Sequence, residues 1–195
     1  MKNITFYYDY ICPFCYVGTK RMLQIADEFE LEIDWKGIEI HPGYSPEGKK
    51  RKKTQRSEHL ARTLKEITDV DNTDIKLPGF ITNSRLCLEA SEFAKSRGKF
   101  VDFHITAFDH FFKQKENIGK IETVLNIGKI AGLNTTDLED CLKSRSMREQ
   151  IEENKKSADE KIVVGVPTIY FNEFRVHGVQ SPEVYRNIIK KHLLN

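Results

Sequence analysis

Residues 8–18 read YDYICPFCYVG. Two of the four cysteines, Cys12 and Cys15, stand there with only Pro13 and Phe14 between them. The stretch joins two patterns of different period. Before it, Ile4-Thr5-Phe6-Tyr7-Tyr8 is β-branched and aromatic, which predicts a strand. After it, Val17, Arg21, Ile25 and Phe29 recur every four residues with Met22 and Ala26 beside them, which predicts a helix with one apolar face. Proline suits a first helical position, because its missing N–H would have had no partner there. Pro13 therefore makes Cys12 the cap of the helix. Ile33 to Ile40, with Trp35 inside it, predicts a second strand, closed by His41-Pro42-Gly43.

Three chemistries compete for the cysteine pair. A structural zinc needs four ligands, commonly two such pairs. The other cysteines, Cys87 and Cys141, are isolated, so no metal is expected. Two inert thiols are the bland reading. Against it stands the helix start, where unpaired N–H groups and the positive dipole end favour a thiolate. Such positions and Cys-x-x-Cys spacing lower a cysteine pKa from about 8.5 to roughly 3.5–7.5. Redox chemistry is the preferred reading. Cys12, at the helix mouth, is expected to be the exposed nucleophile, and Cys15, one turn inside, the shielded resolving thiol. Phe14 brings neither donor nor charge. Asp9, three residues before Cys12, would oppose a thiolate if close.

The middle of the chain changes character. Ser45 to Arg56 contains KKRKK at 49–53 and reads as a solvated loop or helix entry, with recruitment of an acidic partner the alternative and nucleic acid behind that. From Ser57 to about Ala158 the pattern is helical, broken by a loop from Asp71 to Gly79. Phe100, Phe103, His104, Ala107, Phe108, Phe111 and Phe112 form the strongest helical stripe, core or the face of a groove. Thr136 with Glu139, and Ser146 with Glu149, read as capping boxes, and Gly132 as a helix C-terminal glycine. Cys87 and Cys141 fall on apolar stripes and read as small core residues. His104 and His110 have no placeable partner and read as structural or partly exposed. Strands return at the end. Val166 to Phe171, a turn near Asn172-Glu173, and Phe174 to His177 form a hairpin, from which His177 could approach the site. Ser181-Pro182-Glu183 then starts a last helix.

The order is β-α-β, about 100 helical residues, then β-β-α. This predicts an α/β chain of two parts: residues 1–42 and 160–195 building one sheet with its helices, and residues 43–159 inserted as an all-helical unit. Composition narrows the function. Of 195 residues 39% are hydrophobic, enough for a core. A net charge of +2 is too small to argue for nucleic acid. No apolar run approaches a membrane span, and MKNITFYYDY lacks the apolar region of a signal peptide. A cytoplasmic location is expected, where a Cys-x-x-Cys is catalytic or metal-binding rather than structural.

At this point the chain resembles a family. Tyr8-Asp9, Cys12-Pro13-Phe14-Cys15-Tyr16-Val17-Gly18, Pro42, Asn83-Ser84, Gly165-Val166-Pro167-Thr168 and Gly178-Val179-Gln180 together resemble the DsbA family of thioredoxin-like proteins, and within it the cytoplasmic FrnE-like branch. The likeness spans nearly the whole chain. Phe14 stands where that family commonly has Trp. The resemblance implies a thiol–disulfide oxidoreductase acting on polypeptide or small-molecule thiols and disulfides. It needs no cofactor beyond its own redox-active disulfide, with glutathione as a substrate or co-substrate. It also implies that Pro167 is cis and faces the cysteines, with Val166 offering main-chain groups to an extended substrate and Asp9 and Gln180 in supporting positions. Two other functions compete. The chain also looks like hydroxychromene-carboxylate isomerases and kappa-class glutathione transferases, which share the FYYD start but generally lack the resolving cysteine; Cys15 argues against them. A non-enzymatic holdase would use an apolar groove instead.

Overall fold

The computed structural model describes residues 3–70 and 73–194; Asp71 and Asn72, part of the expected loop, lie outside them. Strand β1 (Ile4–Tyr8) is buried along its whole length. It runs parallel to β2 (Ile33–Gly37), with Phe6 opposite Trp35. On its other edge it runs antiparallel to β5 (Thr168–Phe171), with Ile4 opposite Phe171. Strand β6 (Phe174–His177) closes the hairpin, giving the order β2-β1-β5-β6. A parallel pair needs a crossover, and helix α1 (Pro13–Glu28) supplies it.

Both faces of β1 are covered, which explains its unbroken apolar character. Phe6 and Tyr8 point to one face, where their rings lie 4.8 and 6.2 Å from Trp35. Tyr7 points to the other, 6.2 Å from Tyr170, with its hydroxyl 2.8 Å from Ser157.

Strand β2 stops at Gly37, three residues short of the expected Ile40. Ile38 still donates to the Tyr8 carbonyl at 2.9 Å. The next ladder position is taken over by a side chain: the N–H of Ile40 donates to Asp9 Oδ2 at 2.8 Å. Gly37 is required by packing, since a Cβ there would stand 2.6 Å from Leu88.

Between β2 and β5 the regular elements among the described residues are helices and one short ladder, joined by loops. Lys49–Lys50 (β3) pairs with Phe80–Ile81 (β4). This corrects the reading of KKRKK as wholly solvated. Arg51 follows the ladder and is half-buried, its guanidinium donating to the carbonyls of Pro78 and Phe80. The helices are α2 (Gln55–Asp69), α3 (Arg85–Ser96), α4 (Phe100–Asp109), α5 (Ile121–Ile130), α6 (Thr135–Ser144) and α7 (Arg148–Glu160). Helix α4 runs on into a π-helical turn, His110–Gln114.

Neither expected capping box forms. Asn134 caps α6, accepting from Thr136 and Asp137. It lies two residues earlier than expected and leaves Thr136 inside the first turn. Arg145 ends α6 at φ 58°, and the hydroxyl of Ser146 turns to Cys141 Sγ. A capping box is made instead by Thr54 and Ser57 at α2. Gly132 does end α5, at φ +80°, and Ser181 caps α8 (Pro182–Ile189).

Candidate active site

The site is built at the first turn of α1. Cys12 is its N-cap, with extended backbone at φ −92°, ψ 113°, and Pro13 follows. The Cys12 N–H donates to Asp9 O at 3.1 Å. The Cys12 carbonyl accepts from Cys15 and Tyr16 at 3.1 and 3.4 Å. These bonds fix the two cysteines one turn apart on one helix end. Both carry free thiols.

The Cys12 thiol donates to the carbonyl of Val166 at 3.4 Å. The Val166–Pro167 bond is cis, and the Pro167 carbonyl is held by the N–H of Gly178 at 2.8 Å. The loop before β5 therefore lies directly over the cysteine. Cys12 is only 6% exposed, which corrects the expectation of an openly exposed nucleophile: the Val166–Pro167 turn covers it. What access remains comes through a cavity of about 640 Å³, whose wall includes Cys12, Pro13 and Phe14. Cys15 is fully buried. Its thiol is pushed well up, first by burial and then by the neighbouring Cys12. The pair is thus asymmetric: one sulfur borders the cavity and the other does not.

Asp9 is fully buried, and its carboxylate accepts from Ile11 at 3.2 Å and Ile40 at 2.8 Å. Burial raises its pKa to about 6 against the pull of those hydrogen bonds. When ionised it opposes ionisation of Cys15 and of Cys87. The expected sign is present, and among the thiols it falls on the inner ones. Gln180 does not line the cavity. Its main chain ties helices together, with the carbonyl accepting from Arg21 at 2.9 Å and the N–H donating to Tyr185 at 3.1 Å. His177 also stays outside, bonded to Thr168 at 3.1 Å behind the Val166–Pro167 loop.

His104 and His110, on and beside the aromatic stripe, are both buried. His104 sits between Tyr10 (2.9 Å) and Thr19 (3.1 Å), ringed by Tyr8, Trp35, Phe100 and Phe108. Burial pulls its pKa well below the usual value. His110 has a partner carboxylate that periodicity could not supply, Glu116 at 2.7 Å, brought round by the π-helical turn.

Sequence reasoning missed the far wall of the cavity. It is made by Ile40, His41 and Tyr44, then by Arg51 and Lys52 ahead of α2 and Arg56, His59 and Leu60 on its first turns, with Phe111 from the aromatic stripe. The signal was present in the basic run at 49–53, which reads as a solvated segment until the ladder to Phe80–Ile81 folds it toward the cysteines.

The comparisons with known proteins agree on the fold. Residues 3–190 match the model of the DSBA-like thioredoxin domain. The uncharacterised YwbO of Bacillus subtilis strain 168 is 23% identical over 190 residues, covering 96% of this chain and 95% of that protein. Among solved structures, a probable DsbA oxidoreductase from Streptomyces coelicolor superposes with a TM-score of 0.87 at 15% identity, over 98% of this chain and 90% of that one. A 2-hydroxychromene-2-carboxylate isomerase gives 0.77 at 18% identity, over 98% of each chain. The cytosolic disulfide reductase DsbM of Pseudomonas aeruginosa, solved with GSH, gives 0.73 at 14% identity, over 99% of this chain and 100% of that one. With β1-α1-β2 and β5-β6-α8 flanking a helical insertion, and the family model spanning nearly all of its length, the chain belongs to the DSBA-like thioredoxin domain family of thiol–disulfide oxidoreductases.

Proposed function

We propose that the protein is a cytoplasmic thiol–disulfide oxidoreductase whose redox couple is Cys12–Cys15. The observation that carries this reading is the asymmetry of the two sulfurs, one bordering a cavity and the other fully buried one turn behind it. In the reductive direction the Cys12 thiolate attacks one sulfur of a substrate disulfide. A Cys12–substrate disulfide forms and the first substrate thiolate leaves. Cys15, losing its proton, then attacks the Cys12 sulfur, forming the Cys12–Cys15 disulfide and expelling the second thiolate. Two electrons pass from the protein to the substrate, and the reverse sequence oxidises a dithiol. Pro13, Phe14, Val166 and Pro167 shape the entrance.

Substrates are polypeptide or small-molecule thiols and disulfides, with glutathione as a co-substrate. DsbM, with the same fold, is a disulfide reductase solved with GSH. The redox unit comprises residues 1–42 and 160–195, and residues 43–159 form the helical cover. A glutathione-dependent isomerase has no use for a resolving thiol, so the buried Cys15 favours disulfide exchange over that reading. The test is single-turnover oxidation of the reduced protein by a neutral small disulfide. One Cys12–Cys15 disulfide should form per chain, with two substrate thiols released. Protein that keeps both thiols free under these conditions, while isomerising or conjugating with glutathione, would overturn the proposal.

A further inference from the structure

The cavity beside Cys12 carries charge of one sign. Arg51, Lys52 and Arg56 line it beside the imidazoles of His41 and His59, and no aspartate or glutamate does, although the chain has 29 acidic residues against 31 lysines and arginines. None of these three cations is paired with a carboxylate among the described residues. Arg51 spends its donors on two main-chain carbonyls rather than on a carboxylate. Among the described residues, Lys52, Arg56 and His59 have no ion-pair partner. The positive charge of Arg56 reaches His41 across the cavity and, after burial, helps keep it unprotonated.

A second feature adds to the first. Two helices begin at this cavity. Cys12, Pro13 and Phe14 open α1, and Thr54, Arg56 and Ser57 open α2. Their positive dipole ends therefore meet the same space. Apolar Ile11, Ile40, Leu60, Leu77 and Phe111 complete the wall, lowering the local dielectric and strengthening the field. The volume of about 640 Å³ is that of a small-ligand site, roughly 300–1,000 Å³.

We infer that this wall selects the substrate: the protein exchanges preferentially with disulfides whose flanking groups carry carboxylates. The inference rests on the reading of Cys12 as the attacking sulfur. The carboxylates contribute no chemistry to the exchange. They hold the disulfide over Cys12 through Lys52, Arg56 and the two helix starts, and the cationic field raises the encounter rate.

Three disulfides of similar size test it: dithiodipropionate (a dianion), bis(2-hydroxyethyl) disulfide (neutral) and cystamine (a dication). Each rate of oxidation of the reduced protein is divided by that disulfide's rate with free dithiothreitol, which removes intrinsic reactivity. The expected order is dianion, neutral, dication, with about tenfold or more between the ends at low ionic strength, narrowing in 0.5 M salt. In a Lys52→Glu/Arg56→Glu variant the ratio of the dianion's rate to the neutral disulfide's should fall about tenfold or more, and this ratio cancels any common change that the lost cations bring to Cys12. Equal normalised rates for all three disulfides, or one common loss in the variant, would overturn the selectivity while leaving the redox reading intact. If no disulfide is exchanged, the redox reading fails, and calorimetry with Cys12→Ser protein decides selectivity alone: dithiodipropionate must bind more tightly than cystamine, and equal affinities refute it. Peptide disulfides with acidic or basic flanks form a parallel arm. A preference for acidic flanks there places the carboxylates on polypeptides, and a preference confined to the small dianion places them on a metabolite.

Discussion

The thiol of Cys12 and the carbonyl of Val166 meet at 3.4 Å across 154 positions of chain. One comes from a helix cap and the other from the turn before β5, so the site exists only where two ends of the fold meet. The chemistry drawn from that meeting is open to direct tests.

The two cysteines should fail differently. Cys12→Ser should abolish exchange and leave almost no covalent adduct with substrate. Cys15→Ser should retain attack but lose resolution, so mixed disulfides accumulate and are visible by mass spectrometry under non-reducing conditions. Alkylation of the reduced protein should modify Cys12 first, because burial both shields Cys15 and holds its proton. Full exchange by the Cys12→Ser protein would remove the assignment.

Asp9→Asn should change stability and reactivity together. The folded pKa of Asp9, about 6, exceeds the ordinary 3.8, so between those values the folded state holds a proton that the unfolded state lacks. Its contribution is favourable at low pH and is lost as pH rises through 6. Asparagine removes that loss but strands the N–H of Ile11 or Ile40, which bond separate carboxylate oxygens, at about 1–3 kcal/mol; relative to wild type the variant should therefore fare better at pH 7.5 than at pH 4 by up to ~3 kcal/mol for two pKa units. Below pH 4, where Asp9 is protonated in both states, only the cost of the stranded N–H should remain. Cys15, freed of a neighbouring negative charge, should be alkylated at lower pH. Denaturant melts at pH 7.5 and 4 check the first claim, and alkylation rates check the second.

His104 has the opposite sign. Its folded pKa is depressed, so it stays neutral while an unfolded histidine takes up a proton below about 6.5. Stability from this residue is present above that pH and falls as pH drops, by at most ~1.4 kcal/mol per unit. His104→Phe keeps a ring among Tyr8, Trp35 and Phe108 but strands the hydroxyls of Tyr10 and Thr19, at a cost of about 1–3 kcal/mol at pH 7.5. The difference from wild type should shrink steadily between pH 6.5 and 5. A pH-independent difference would show that the ring does not titrate with unfolding.

Gly37→Ala should destabilise by about 1–3 kcal/mol, since its new methyl would meet Leu88 at 2.6 Å. Leu88→Ala in the same chain should recover part of that loss, measured as a double-mutant cycle.

The strands and first helix were legible because their periods are clean and Pro13 marks the helix start. The hairpin at 166–177 was legible for the same reason. Boundaries were lost where a side chain replaced a backbone partner: Asp9 captures the N–H of Ile40 and ends β2 early, and Asn134 caps α6 ahead of Thr136. Local pattern cannot foresee such substitutions. The cysteine pair was visible by spacing alone, but its coverage by Val166 was not, because that contact joins distant segments. The cationic wall was hidden for the same reason. KKRKK looks solvated until its pairing with Phe80 and Ile81 is known.

The pairing of Ile4 with Phe171 has a consequence for biosynthesis. A ribosome makes Cys12 and Cys15 near the start and Val166 154 residues later, a delay of roughly 8–30 s at 5–20 residues per second. Through that interval β1 lacks one neighbour and Cys12 lacks its cover. The nascent chain thus carries Cys12 without its Val166 cover until β5 is made.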